Sequence, residues 1–216
     1  MGLFGKKKVN STQGNRPGNQ FSVKQSALEI VSDCDDSIST EKRKIICSEI
    51  IAHYCDSSDP LDWLAVAIAN KYLGASHRKQ AIRYYEMYLS DPVRIPNKSE
   101  LQWVIESWSI RSDLATLYES EYEFDKAIAM LKECITLDEK KAQLLGYGFN
   151  PANYTRIATI VMKRDGTASA IEYYKKLKKS KVYKLDREWF DEKYREMKEK
   201  HERGYVYRAR KAKGTF

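Results

Sequence analysis

The sequence predicts an all-α protein in which antiparallel helix pairs stack edge to edge, with further helices flanking the stack. Three observations predict it. Seven positions recur in three copies once the chain is aligned on Ala81, Ala127 and Ala170. Apolar residues within each copy fall three and four apart, the spacing of one helix face, rather than alternating as in a strand. Helix-start signals precede the copies: Asp59-Pro60, Ser99 with Gln102, and Asn150-Pro151.

The recurrent positions form a packing pattern. Twelve residues before the anchors stand Ala69, Ala115 and Ala158, each preceded by a large aliphatic, Ile68, Leu114 and Ile157. Nine before are Tyr72, Tyr118 and Val161. Directly after the anchors come Ile82, Ile128 and Ile171; four on are Tyr85, Leu131 and Tyr174; seven on are Tyr88, Cys134 and Leu177. The paired alanines fall where two helix backbones approach, and a larger side chain there would overpack the contact at a cost of about 1–3 kcal/mol.

Taken in order, residues 1–20 are rich in Gly, Asn, Pro and Lys and read as a disordered basic tail. Residues 21–185 read as the helical-repeat domain. It opens with two helices. Val23, Ala27, Leu28, Ile30 and Val31 form the apolar face of the first. Thr40 is the expected N-cap of the second, whose face is Ile45, Ile46, Ile50 and Tyr54. This pair lacks the alanine register and reads as a degenerate repeat or N-terminal cap. The clear repeats cover residues 62–95, 108–141 and 151–180. Asp59 caps the first, with Pro60 at the first helical position, where a missing N–H is harmless. Ser99 and Gln102 make a capping box. It opens a helix of about 20 residues to Glu119, expected to break near Ser107. Asn150-Pro151 opens the third repeat, and Asp165-Gly166 turns within it. Residues 186–216 read as a capping helix and basic tail. Asp186 caps that helix, which runs to about Glu202 and carries Leu185, Trp189, Phe190, Tyr194 and Met197 on one side to cover the edge of the third repeat.

From residue 62 to 178 this pattern resembles the tetratricopeptide repeat, whose small–aromatic–alanine spacing it reproduces. The anchors stand 46 and 43 residues apart, against a family period of about 34. Extra residues at 96–107 and 142–150 are expected to lengthen the links between repeats. A HEAT-like array has a period nearer these spacings, but its helices do not account for the alanine register. The resemblance implies a right-handed superhelical stack, a tetratricopeptide-like α-solenoid, whose concave groove is lined by the first helix of each repeat. On the matched register the lining residues are Trp63, Val66, Asn70 and Leu73, then Ser109, Ser112, Asp113, Thr116 and Glu119, then Thr155, Arg156, Thr159 and Lys163. Proteins similar to this hold a partner's peptide or helix there. The family's clamp for an acidic chaperone C-terminus is expected to be absent: Asn70 and Arg156 match it, whereas Val66, Asp113 and Ala152 stand where lysine, asparagine and lysine are required.

Composition sets further bounds. Of the net charge of +8, residues 1–20 carry +4 and residues 175–216 carry +9, leaving the body acidic. Any polyanion contact is therefore expected at the ends. Candidates are Lys6, Lys7 and Lys8, and then Arg208, Arg210, Lys211 and Lys213. No run of about 18 apolar residues is present. Gly2 does not make a myristoylation signal, because Lys6 stands where that motif takes Ser or Thr. Cys34, Cys47, Cys55 and Cys134 show no paired framework and read as reduced thiols of a cytoplasmic protein.

The chemistry of catalysis finds no foothold. Cys47, His53 and Cys55 do not converge on a helix, and Zn²⁺ wants four ligands. Asp33, Asp35 and Asp36 lack calcium-loop spacing. No nucleophile, base and oxyanion donor assemble, so no enzymatic activity, cofactor or metal is expected. The expected function is an adaptor or scaffold that binds a protein or peptide in the groove. The alternative is RNA or DNA binding through the basic C-terminal region, with Tyr183, Tyr205 and Tyr207 stacking on bases. Weak attachment to an anionic membrane through Lys6, Lys7 and Lys8 is a third reading, and an uncovered end of the stack is a surface on which two copies can pair.

Overall fold

A computed structural model describes residues 26–34, 38–92, 98–146 and 148–207. The expected tail at 1–20, Val23 in the first helix, and all seven polyanion candidates lie outside the described residues. Those residues form nine α-helices and two short 3₁₀ turns, with no strand among them. The chain divides into two compact units at Asn97 and Lys98.

The first unit holds α1 (Ala27–Ser32), α2 (Thr40–Tyr54), α3 (Pro60–Leu73) and α4 (Arg78–Ser90). Ser26 opens α1 with a capping box: its hydroxyl accepts from the Glu29 N–H at 3.3 Å and the Glu29 carboxylate accepts from the Ser26 N–H at 2.7 Å. The N-cap of α2 is Ser39, one residue before the expected Thr40, and its hydroxyl accepts from the Lys42 N–H at 3.3 Å. The buried stripe of α2 is Ile46, Cys47 and Ile50, while Ile45 is 59% exposed. The expected face was therefore turned by one residue. Three consecutive positions span too much of the helix circumference for both Ile45 and Cys47 to be inside, and the small thiol is the one the neighbouring helices enclose. Asp59 caps α3 as expected, its Oδ1 accepting from the Leu61 N–H at 2.9 Å.

The second unit holds α5 (Glu100–Ser120), α6 (Phe124–Leu145), α7 (Ala152–Asp165), α8 (Thr167–Lys178) and α9 (Arg187–Glu202). Both arms of the Ser99–Gln102 capping box are made. No break occurs at Ser107, which is buried at 6% exposure inside a continuous 21-residue helix. Nor do the extra residues at 100–107 and 142–145 form links; they extend α5 and α6. The two helices pack along each other, so added turns on one gain a partner on the other. Asn150 opens α7 as Asp59 opens α3, its Oδ1 accepting from the Ala152 N–H at 3.0 Å.

All six register alanines, Ala69, Ala81, Ala115, Ala127, Ala158 and Ala170, are fully buried. They sit in pairs on α3 with α4, α5 with α6 and α7 with α8, each an adjacent packed pair. A polar pin joins successive pairs in the second unit: Asn153 Nδ2 on α7 donates to Asp138 Oδ2 on α6 at 2.8 Å. Burial raises the Asp138 carboxyl above its ordinary range, and the Asn153 hydrogen bond opposes the rise. Asp186 caps α9, which lays Phe190 and Met197 onto Ala158, Met162, Ala170, Ile171, Tyr174 and Leu177. Leu185, expected on this face, precedes the helix and is 64% exposed.

Candidate functional site

In the second unit the predicted groove positions converge. Ser109, Ser112, Asp113, Thr116 and Glu119 are three and four apart on α5, so they share one stripe. Thr155, Arg156, Thr159 and Lys163 do the same on α7. All nine are exposed or half-buried. The stripes meet through side chains. Arg156 Nη1 donates to Ser112 Oγ at 2.9 Å and Nη2 to Thr116 Oγ1 at 3.0 Å. One turn further, Lys163 forms an ion pair with Glu119, both side chains about a quarter exposed. These contacts make a ladder between the first helices of successive pairs.

Arg156 stands out electrostatically. Its guanidinium holds two neutral hydroxyls and makes no salt bridge with a carboxylate among the described residues. An arginine fork carries five donors, so one satisfied by hydroxyls retains both charge and donors for an incoming acceptor. Thr116 Oγ1 in turn donates to the Ser112 carbonyl at 2.9 Å, and Thr159 Oγ1 to the Thr155 carbonyl at 3.0 Å. The helix carbonyls therefore orient the hydroxyls.

At the Lys163 end lies a cavity of about 260 Å³ lined by Thr116, Glu119, Ser120, Tyr122, Lys163 and Tyr207. Three of these, Ser120, Tyr122 and Tyr207, were not among the predicted groove residues. Tyr207 comes from the segment after α9, and its ring sits against the Lys163 ammonium, 5.4 Å from nitrogen to ring centroid. Tyr122 lies in the turn between α5 and α6 at φ +62°. The repeat register carries no signal for Tyr122: Gly74 and Gly166 directly cap the ends of α3 and α7, whereas α5 ends on the C-cap Glu121 and Tyr122 follows it. Nothing local points Tyr207 to Lys163.

The four candidates on α3 behave differently. Val66 is fully buried and Asn70 is 2% exposed, so neither lines an open surface. The reason is tertiary: α1 and α2 pack on α3, and α4 packs on it as well, so little of its circumference meets water. Asn70 is satisfied internally, with Nδ2 donating to the Val66 carbonyl at 2.8 Å and Oδ1 at 3.2 Å from His77 Nδ1. Trp63 is half-buried and donates from Nε1 to the Ser57 carbonyl at 2.7 Å, while Leu73 is half-buried. Among the proposed base-stacking tyrosines, Tyr183 donates to Asp191 Oδ2 at 2.9 Å and is thereby tied to α9.

The cysteines are enclosed rather than poised. Cys34, Cys47 and Cys134 are buried and Cys55 is half-buried, all four unbridged. Burial pushes the Cys47 thiol up to about 11 and the Cys134 thiol up to about 12. Among the described residues no three His, Cys, Asp or Glu side chains form a group able to hold a metal ion. No described helix is long and apolar enough to cross a membrane. Compared with known proteins, the chain matches no family model, no curated protein and no solved structure, so the packing and side-chain geometry carry the functional reading.

Proposed function

We propose that this chain is a cytoplasmic protein-interaction scaffold, a tetratricopeptide-like stack of helix pairs that binds an extended peptide or helix of a partner on the face formed by α5 and α7. Six fully buried alanines on three packed helix pairs support the repeat reading and the right-handed superhelix it implies. Four unbridged thiols are in keeping with a reducing compartment. The observation that carries the binding reading is Arg156, a half-buried guanidinium held by Ser112 and Thr116 with no salt-bridged carboxylate among the described residues. A carbonyl or carboxylate of a partner supplies what that group lacks, and the surrounding hydroxyls satisfy backbone groups without demanding one sequence.

The test places a photo-crosslinking amino acid at Thr159 on this face and, separately, at Glu172 on the exposed surface of α8, in the native cell. Crosslinks to a partner are expected from Thr159 and not from Glu172. Arg156→Gln should then weaken the isolated interaction about tenfold or more, the scale of a hydrogen bond to a charged group. Equal crosslinking from both sites would defeat the proposal. Binding of single-stranded RNA that falls steeply with salt and ignores Arg156→Gln would instead favour the basic C-terminal region as the working surface.

A further inference from the structure

Independently of the face formed by α5 and α7, we propose that the end of α8 and the 3₁₀ turn Val182–Leu185 form a docking surface for an anionic lipid bilayer. Lys176, Lys179, Lys181 and Lys184 meet the headgroups, and Leu185 enters the apolar boundary beneath them.

Charge is the first observation. Residues 175–187 hold seven basic groups and one acidic. Two of the lysines are neutralised by carboxylates: Lys175 pairs with Glu172 at 2.6 Å and Lys178 with Asp191 at 2.7 Å. Lys176, Lys179, Lys181 and Lys184 are exposed and make no salt bridge among the described residues. Their field is felt at Glu172, whose exposed carboxyl is held below its ordinary range by the Lys175 hydrogen bond and further by the charges of Lys175, Lys176 and Lys179.

Geometry gathers the four. Lys176 and Lys179 stand three apart at the end of α8 and share a face. In a 3₁₀ turn, side chains three apart eclipse one another. That places Lys181 with Lys184, whose N–H donates to the Lys181 carbonyl at 3.1 Å. It also places Leu185 with Val182. Val182 packs against the core that α8 and α9 share, while Leu185 is 64% exposed. The turn packs back on α8, so the four ammoniums and the leucine belong to one corner of the second unit.

The occupant follows from charge and aliphatic surface together. A single exposed leucine is common on proteins, and Lys42, Lys44, Lys79 and Lys132 are also exposed, scattered over α2, α4 and α6. Only at the end of α8 are four such lysines clustered beside an exposed leucine. Each lysine near an anionic leaflet strengthens attachment about fivefold, and the leucine is stabilised where an apolar phase lies under the charge. Nucleic acid offers phosphates without that phase, and single strands are held by aromatic platforms instead. Tyr183, the one ring within residues 175–187, is already engaged. Its hydroxyl donates to Asp191 at 2.9 Å, and its ring meets Phe190 at 6.3 Å between centroids and the Lys178 ammonium at 5.9 Å.

The experiment floats full-length protein with vesicles of about 30% phosphatidylserine in phosphatidylcholine, beside pure phosphatidylcholine vesicles and a single-stranded RNA oligonucleotide. Binding is expected to the anionic vesicles alone and to weaken as salt rises. Replacing Lys176, Lys179, Lys181 and Lys184 together by glutamine should weaken it more than about a hundredfold. The same change at Lys42, Lys44, Lys79 and Lys132 removes equal charge and should cost less than about threefold at about 0.15 M salt. Leu185→Ser should weaken vesicle binding about three- to tenfold. Equal losses from the two lysine sets would make net charge or the basic ends the cause and overturn the proposal. So would vesicle binding that ignores Leu185→Ser, or RNA held more tightly than vesicles through the four clustered lysines. None of these residues lies on the α5–α7 face, so failure here leaves the scaffold reading standing, and the reverse holds.

Discussion

Leu131→Ala offers the sharpest test of how the middle helix pair is held. Leu131 is fully buried on α6, on the stripe of Ala127, Ile128 and Cys134. That stripe faces α5, since the Cys134 thiol contacts the Trp108 carbonyl there at 3.6 Å. Truncation removes three carbons; at about 0.8 kcal/mol each, the transfer loss is about 2.4 kcal/mol. The unfilled cavity adds to this, giving about 3–4 kcal/mol in all. Leu144→Ala, on the same helix but 43% exposed, is the control, expected to cost under about 0.5 kcal/mol. Urea unfolding followed by tryptophan fluorescence and circular dichroism gives both numbers. With a slope of about 2 kcal/mol per molar, the midpoint should fall by about 1.5–2 M for Leu131→Ala and hardly move for Leu144→Ala. A shift below about 0.5 M for Leu131→Ala, or equal shifts for the two variants, would mean that the α5–α6 contact is not built as described.

Other expectations follow from single groups. Burial raises the Asp138 carboxyl, so the unfolded chain releases this proton first as pH rises. Its stabilising contribution is thus present below its ordinary pKa of 3.8 and is lost as pH climbs through the raised folded value. Asp138→Asn keeps an oxygen for Asn153 and should flatten that part of a stability profile recorded from about pH 3 to about pH 7; an unchanged profile would contradict the assignment. Gly166 has φ +90° with open space where a Cβ would go, so Gly166→Ala should lower stability by about 1–3 kcal/mol through backbone strain alone. A thermal melt matching the unsubstituted protein would refute that. In Ellman titration near pH 8, Cys55 should react quickly while Cys34, Cys47 and Cys134 stay protected until the chain unfolds. Cys55→Ser should therefore abolish the fast phase, and a surviving fast thiol would argue against the burial seen.

The parts of this fold legible in the sequence are those governed by neighbours along the chain. Asp59, Ser99, Asn150 and Asp186 all accept the helix-start hydrogen bonds expected of them. Each cap is decided within three residues. The alanine register was legible because it repeats, and all six alanines are buried. The face of α2 was misjudged because its burial is decided by which neighbours enclose it: Cys47 is inside and Ile45 outside. Val66 and Asn70 fail as groove residues for a similar reason, since α1 and α2 bear no register that announces where they pack on α3. On α5 and α7 the stripes of hydroxyls and charges were legible from helical spacing. Their pairing across 44 residues, Arg156 to Ser112 and Lys163 to Glu119, was not. Tyr207 meets Lys163 beyond the turn that Gly204 makes after α9, a contact that no local pattern announces.

The length of the middle pair has an engineering consequence. With the alanines of successive pairs level, α5 at 21 residues and α6 at 22 extend past α7 at 14 and α8 at 12. The excess amounts to a spur of about 10–15 Å at 1.5 Å per residue. Ile105 and Leu144 are exposed on it, and Lys140 with Glu100 bridges its two helices at 2.9 Å. Modules of unequal height cannot be duplicated interchangeably. A second copy of the long module beside the first would match its height, whereas a short one would leave the flank of the spur in water.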